Sequence, residues 1–262
     1  MEIFQSLVSK LEKGALPKDE FALCIKRAKK NHELDIDLEL LNFYGLPIEE
    51  DEKEVFLSTQ KNCFKDEVYC IVDIETNGSS PVKNQIIEIG AVKYKNGEIV
   101  EKFESYVYAD FIPESIVRLT NIEQSDLKDA PSLKKVLHDF KLFLGNTVFV
   151  AHNVKFDYGF ISKSLVTVGV DELLNRKLCT VDLSRKTIEA ERHGLSYLRE
   201  HLDIDTGNHH RAYSDALSAA KVLDECFKNI PEHVKSTEEL IKFSAGTTKK
   251  KKKKPKEAPK PQ

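Results

Sequence analysis

The chain has 262 residues, 40% of them apolar, enough for one large domain with an appendage and a real core. No run of about 18 apolar residues occurs, which argues against a membrane-spanning helix, and the opening "MEIFQSLVSKLEKG" lacks the basic-then-apolar order of a secretory signal. The net charge of −3 hides an asymmetry: residues 249–262 hold eight lysines and one glutamate, or +7, which leaves −10 on residues 1–248.

Such a basic, Pro-containing end cannot bury apolar surface, and 247–262 is expected to be a disordered Lys-rich tail. Five cysteines stand at 24, 63, 70, 179 and 226, none in a Cys-x-x-Cys pair. That usage suits a reducing cytoplasm in which each thiol is a small hydrophobe.

In chain order, Phe4, Leu7, Val8 and Leu11 follow helical spacing, and Gly14 and Pro17 end that helix. Phe21, Cys24, Ile25 and Ala28 suggest a second helix, and Leu34, Leu38 and Leu41 a third. The acidic "LPIEEDEKE" (46–54) follows, so residues 1–66 are expected to form a helical appendage and connector. "QKNCF" (60–64) is only a poor match to a sliding-clamp motif and is taken as connector.

From Val68 the pattern changes. "VYCIVDIE" is a strand, and "IIEIGAVKY" (86–94) and "IVEKFESYV" (99–107) flank Asn96-Gly97, a strong hairpin signal. Pro131 and Ser132 open a helix through Leu144. "TVFVAH" (147–152) is a short apolar strand, 156–169 a helix, and "LCTVDL" (178–183) a further strand. Helices are expected over Leu195–His201 and Arg211–Phe227. Ser236 and Glu239 form a capping-box pattern for a last helix within 231–246. Three strands with a hairpin, then alternating helix and strand, imply a mixed sheet covered by helices in an α/β domain over 67–230.

Four carboxylates stand out in this frame. Asp73 and Glu75, at i and i+2, point to one face of the end of a core strand. Asp157 follows an apolar strand at the start of a helix. Asp215 sits in "HHRAYSDALSAA", where small residues let the helix approach the sheet, and His210 precedes it by five residues. Four crowded carboxylates repel one another, and a pair of divalent cations, Mg2+ or Mn2+, would remove that repulsion. Such ions can bind a phosphodiester and activate a water, with a histidine as base near neutral pH.

"DIETNG" (73–78), "HNVKFD" (152–157) and "HRAYSDA" (210–216) resemble, in order, the three motifs of the DEDDh 3′→5′ exonucleases, whose fold is RNase H-like with a mixed five-stranded sheet. Within that family the chain is most similar to the epsilon proofreading subunit of bacterial DNA polymerase III and the exonuclease domain of the Gram-positive replicative polymerase. The resemblance implies that Asp73 bridges both metals and that Glu75, Asp157 and Asp215 complete the sites. It makes His210 the general base, with His209 as competitor. Arg211 stands where the tyrosine branch of the superfamily would place its tyrosine.

The resemblance further implies substrate contacts from Ile74, Thr76 and Asn77, a cleft lined or braced by His152 and Asn153, and a contact from Thr120 in "LTNI" (119–122). There Asn121 replaces a frequent glycine. The implied activity is removal of nucleoside 5′-monophosphates from single-stranded or frayed DNA 3′ ends, with a polymerase catalytic subunit as partner. RNA trimming and a non-catalytic polymerase-binding role are the alternatives.

Overall fold

The strand Tyr69–Thr76 organises the molecule. In the computed structural model, which describes residues 2–29, 37–170 and 173–246, this strand is the centre of a five-stranded sheet. Preceding it are α1 (Glu2–Leu11), β1 (Leu16–Pro17), α2 (Lys18–Lys29), α3 (Leu38–Phe43), β2 (Ile48–Glu50) and β3 (Glu54–Leu57), so the central strand is β4. β5 (Ile86–Lys95) and β6 (Glu98–Tyr106) follow it, then α4 (Glu114–Thr120), α5 (Gln124–Leu127) and α6 (Leu133–Leu144). The chain continues through β7 (Val148–Ala151), α7 (Val154–Thr167), β8 (Lys177–Cys179), α8 (Thr180–Thr187), α9 (Leu195–His201), α10 (Ala212–Phe227) and α11 (Thr237–Ala245).

The sheet order is β6-β5-β4-β7-β8. The β6-β5-β4 half is antiparallel and the β4-β7-β8 half parallel, the mixed sheet expected from the element order. Asn96 and Gly97 close the β5–β6 hairpin with φ of 51° and 86°, the left-handed pair that a two-residue hairpin turn demands. β4 is apolar on both faces because both are covered. Ile71 packs with α8–α11, and Cys70 and Val72 pack with α6 and α7.

Three expectations need correction. Residues 1–66 are not purely helical: β1, β3 and β2 form a three-stranded antiparallel sheet within them. Asp51 accepts hydrogen bonds from the amides of Lys53 and Glu54, so the acidic run is a hairpin turn rather than a connector. "LCTVDL" is a strand only through Cys179, and from Thr180 the chain is helical, an ambiguity inherent in short apolar runs. Cys70 and Cys226 are buried as expected, whereas Cys63 is exposed.

The third helix begins at Leu38 behind an Asp37 cap; Leu34 lies outside the described residues, as does the Lys-rich tail 247–262. Both halves of the Ser236–Glu239 capping box are present on α11. Among the described residues no helix is long and apolar enough to cross a membrane.

Candidate active site

Asp73 and Glu75 leave β4 on the same side, and their register partners on β5 are Gly90 and Glu88. Gly90 decides what can lie above them. A Cβ there would fall 2.1–2.4 Å from backbone atoms of Ala212 and Tyr213, so only glycine lets the start of α10 rest on the sheet. Glu88 fixes where that helix begins. It is buried, accepts the amide of Ala212 at 3.0 Å, and holds the Arg211 guanidinium at 2.9 Å. Arg211 also donates to the Tyr106 hydroxyl at 2.6 Å. Asp215, in the first turn of α10, is thereby lowered over the acidic end of β4.

A sharp turn brings in the fourth carboxylate. Asn153, between β7 and α7, takes φ 86°, in the left-handed region that asparagine tolerates. α7 therefore starts at once and carries Asp157 in its first turn. His152, beside it, is pinned at both ring nitrogens. Nε2 donates to the His193 carbonyl at 2.9 Å, which leaves Nδ1 to accept from the Thr180 hydroxyl at 2.9 Å. Burial lowers its pKa to about 4, so it is a neutral brace.

Asp73, Ile74, Glu75, His152, Asn153, Asp157, His210 and Asp215 line one open cleft of about 280 Å³, together with Phe156, Leu195, Ser196 and His209. Carboxylate oxygens of Asp73, Glu75 and Asp215 lie within 4.8 Å of one another. Burial, then the charges of Asp157, Glu75, Asp215 and Glu88, raise Asp73 well above the usual carboxylate range. Burial and Glu88 push Glu75 up to about 8, and burial pushes Asp157 up to about 7. These groups resist ionisation for want of positive charge. A convergent, oxygen-only donor set with that deficit fits a hard divalent cation.

Some compensation reaches Asp215. Arg199 donates to its Oδ1 at 3.2 Å and to the Gly207 carbonyl at 2.7 Å. His209 Nδ1 donates to both its oxygens, at 2.9 and 3.0 Å, and the His210 amide donates to Oδ2 at 3.1 Å. The two imidazoles stack with centroids 4.0 Å apart, and His210 has φ 59°, an uncommon conformation for a residue with a side chain. Burial, with His209 next, lowers the His210 pKa below its ordinary value.

Three expected substrate contacts are not among the residues that line this cleft. Thr120 is buried, donating to the Ile116 carbonyl and accepting the Ile122 amide, because its hydroxyl closes the α4 terminus. Asn121 next to it adopts φ 54°, so the loop tolerates asparagine for glycine. Asn77 spends its side-chain amide on the Phe111 carbonyl and the Gln85 amide and braces its own loop. Thr76 is buried and is not among the cleft-lining residues.

Sequence reasoning missed Glu88 and Arg199. A glutamate inside the apolar run "IIEIGAV" was a usable signal, since a buried carboxylate requires a partner. Arg199 gave none, standing 16 residues from Asp215 in an ordinary helix.

The family model described as Exonuclease (RNase T) matches residues 70–223. The DNA polymerase III PolC-type protein of Clostridium perfringens is 41% identical over 182 residues, covering 69% of this chain and 12% of the relative. That of Staphylococcus aureus is 36% identical over 194 residues, covering 72% and 13%. The chain thus spans about an eighth of the length of these relatives. Among solved structures, exonuclease X in complex with 5′ overhanging duplex DNA superposes with TM-score 0.54 at 22% identity, covering 67% of this chain and 99% of that one. Escherichia coli exonuclease I in complex with a dA16 oligonucleotide gives TM-score 0.56 at 15% identity, covering 63% and 42%. These two likenesses establish a shared fold.

Proposed function

Given that the chain belongs to the exonuclease family whose model spans residues 70–223, we propose that it removes nucleotides from the 3′ ends of DNA, one nucleoside 5′-monophosphate at a time, as a proofreading activity for a replicative polymerase in the cytoplasm. The observation that carries this reading is the convergence of Asp73, Glu75 and Asp215 oxygens in one open cleft with Asp157 and His210 on its wall. The PolC-type relatives support the polymerase setting, and the DNA held by exonuclease X and exonuclease I supports the substrate.

Asp73, Glu75, Asp157 and Asp215 would hold two divalent cations, magnesium or manganese. Bound there, such ions supply the Lewis acidity that makes water nucleophilic and stabilises a leaving 3′-oxygen. His210 takes the proton from the attacking water, and its lowered pKa keeps it unprotonated near neutrality. Arg199 and the His210 amide hold the Asp215 carboxylate, while His152 fixes the β7–α7 corner and with it Asp157. Ile74 and Asn153 line the cleft where the terminal nucleotide would rest.

In this reading residues 67–230 are the catalytic domain. The segment 1–66 precedes it, and the 231–246 helix and the 247–262 tail follow it.

The deciding experiment incubates the full chain with 5′-labelled single-stranded DNA and RNA of one sequence, with magnesium or with chelator. A ladder shortened from the 3′ end, on DNA and with magnesium only, is expected. Digestion of RNA alone would move the reading to an RNA-trimming enzyme. No digestion would leave a polymerase-binding subunit, and undiminished cleavage in chelator would overturn the metal-dependent mechanism.

A further inference from the structure

His209 is left over by the hydrolytic reading, yet it is among the best-held side chains in the cleft. Its Nδ1 faces the Asp215 carboxylate at 2.9 and 3.0 Å, its Nε2 meets the Ser196 hydroxyl, and its ring stacks on His210 at 4.0 Å. One ligand atom from each of His209, His210 and Asp215 lies within 4.8 Å of the other two. A single magnesium site has little use for two imidazoles, because hard cations favour oxygen. Two imidazole nitrogens and one carboxylate oxygen are instead the donor set of a borderline transition-metal ion, with a fourth tetrahedral position left open.

We propose that His209, His210 and Asp215 form a zinc-class site, overlapping the oxygen-only set of Asp73 and Glu75 but chemically distinct from it. The surroundings suit such a site. When His209 Nδ1 gives up its hydrogen bond to Asp215 and turns its lone pair to the ion, the ring proton moves to Nε2, where the Ser196 hydroxyl accepts it. A metal-ligating histidine is ordinarily oriented through its second nitrogen in this way. The tautomer changes and no net proton is lost. Arg199 and the His210 amide already hold the Asp215 carboxylate, so that ligand needs little further ordering on binding. Occupancy would draw Asp215 and His210 away from the hydrolytic arrangement, so zinc would inhibit. That consequence rests on the proposed hydrolytic function, whereas binding of zinc does not.

The test uses the full chain with alkylated thiols, without nucleic acid, and zinc alone as the probe, titrated against a chromophoric chelator. His209→Ala is expected to weaken zinc by more than about 100-fold, beyond the 10–100-fold that loss of an outer partner such as Ser196 costs in Ser196→Ala. Asp73→Asn, which removes an oxygen-only ligand beside the shared Asp215, should weaken zinc far less than His209→Ala does. X-ray absorption of the zinc-loaded protein should show two imidazoles on the metal. Wild-type zinc affinity in His209→Ala, a parallel loss in Asp73→Asn, or a spectrum with oxygen ligands alone would overturn the site and leave His209 as a hydrogen-bonded partner of Asp215. Because no cleavage is measured, failure here is distinguishable from failure of the exonuclease reading.

Discussion

Two regions bury carboxylates, and they treat them in opposite ways. At the end of the parallel strands away from the cleft, Glu238 on α11 is 2% exposed and fully engaged. Arg176 donates to its two oxygens at 3.0 and 2.6 Å, Thr59 adds a bond at 3.1 Å, and Arg176 also pairs with Glu12, just past the end of α1. This network joins the turn after α1, the turn after β3, the approach to β8, and α11. At the cleft, Asp73, Glu75 and Asp157 crowd together while the nearby guanidinium groups of Arg199 and Arg211 serve Asp215 and Glu88. The desolvation problem is the same in both places. The chain solves it internally at the back and leaves it unsolved at the front. An unsolved buried charge cluster on a rigid sheet is what a cation-dependent reaction needs.

The sharpest test of that contrast removes a member of the cleft cluster. Asp73→Asn or Asp215→Ala should reduce 3′-end cleavage to background in a single-turnover assay while the fold persists. In chelator Asp73→Asn should also melt higher than the parent at pH 8. The sign follows from Glu75, whose folded pKa of about 8 lies above the ordinary 4.5. Ionisation is thus harder in the folded state, so metal-free stability falls as pH rises from about 4.5 to about 8. Asp73→Asn removes one repelling charge and should flatten that decline. An unchanged melting profile would mean the carboxylates are not strained.

Next in size, His210→Ala should cost about 10²–10⁴ in cleavage rate, the usual share of a general base. In the parent the rate should rise with pH as the base loses its proton, with a midpoint below 6.5 because the His210 pKa is lowered. A large loss in His209→Ala together with a small one in His210→Ala would transfer the base role to its neighbour.

At the back of the molecule the expected loss is in stability. Glu238→Gln removes the buried charge partner of the Arg176 fork and leaves only Glu12, and should cost roughly 3–5 kcal/mol, read from denaturant melts, with activity per folded molecule unchanged. A neutral result would show that Glu12 alone satisfies Arg176 and that the back network is redundant.

How much of this was legible depended on sequence separation. Asp73 and Glu75 were visible because strand periodicity places i and i+2 together, and the Asn96-Gly97 hairpin because its turn chemistry is local. The mixed sheet followed from the succession of elements. β1–β3 stayed hidden because strands of two to four residues carry too little pattern, and the Asp51 turn resembled a solvated acidic run. Glu88 with Arg211, Arg176 with Glu238, and Arg199 with Asp215 are pairings across 123, 62 and 16 residues, which no local period encodes. Thr120 is a related case: its place in a loop motif was visible, but the carbonyl and amide that occupy its hydroxyl were not.

The smallest expected effect extends the contrast to charge at long range. Residues 1–248 carry −10, so the body repels a phosphate backbone even where its cleft would attract one locally. The eight lysines of 249–262 lie outside the described residues, but their charge acts wherever they reach. Each phosphate a lysine neutralises releases counterions, a gain independent of base sequence and lost with salt. At an ionic strength near 0.15 M the Debye length is about 8 Å, so a tether of this kind works mainly at low salt. Truncation after Thr248 should therefore weaken DNA binding severalfold at low salt and hardly at all at high salt. Single-turnover cleavage of DNA already bound should be unchanged, since the carboxylates and His210 proposed for catalysis all precede the tail. Binding isotherms of full-length and truncated protein at two salt concentrations decide the matter. Superimposable low-salt curves would remove the tail from substrate capture and leave the body's own surface to overcome its charge.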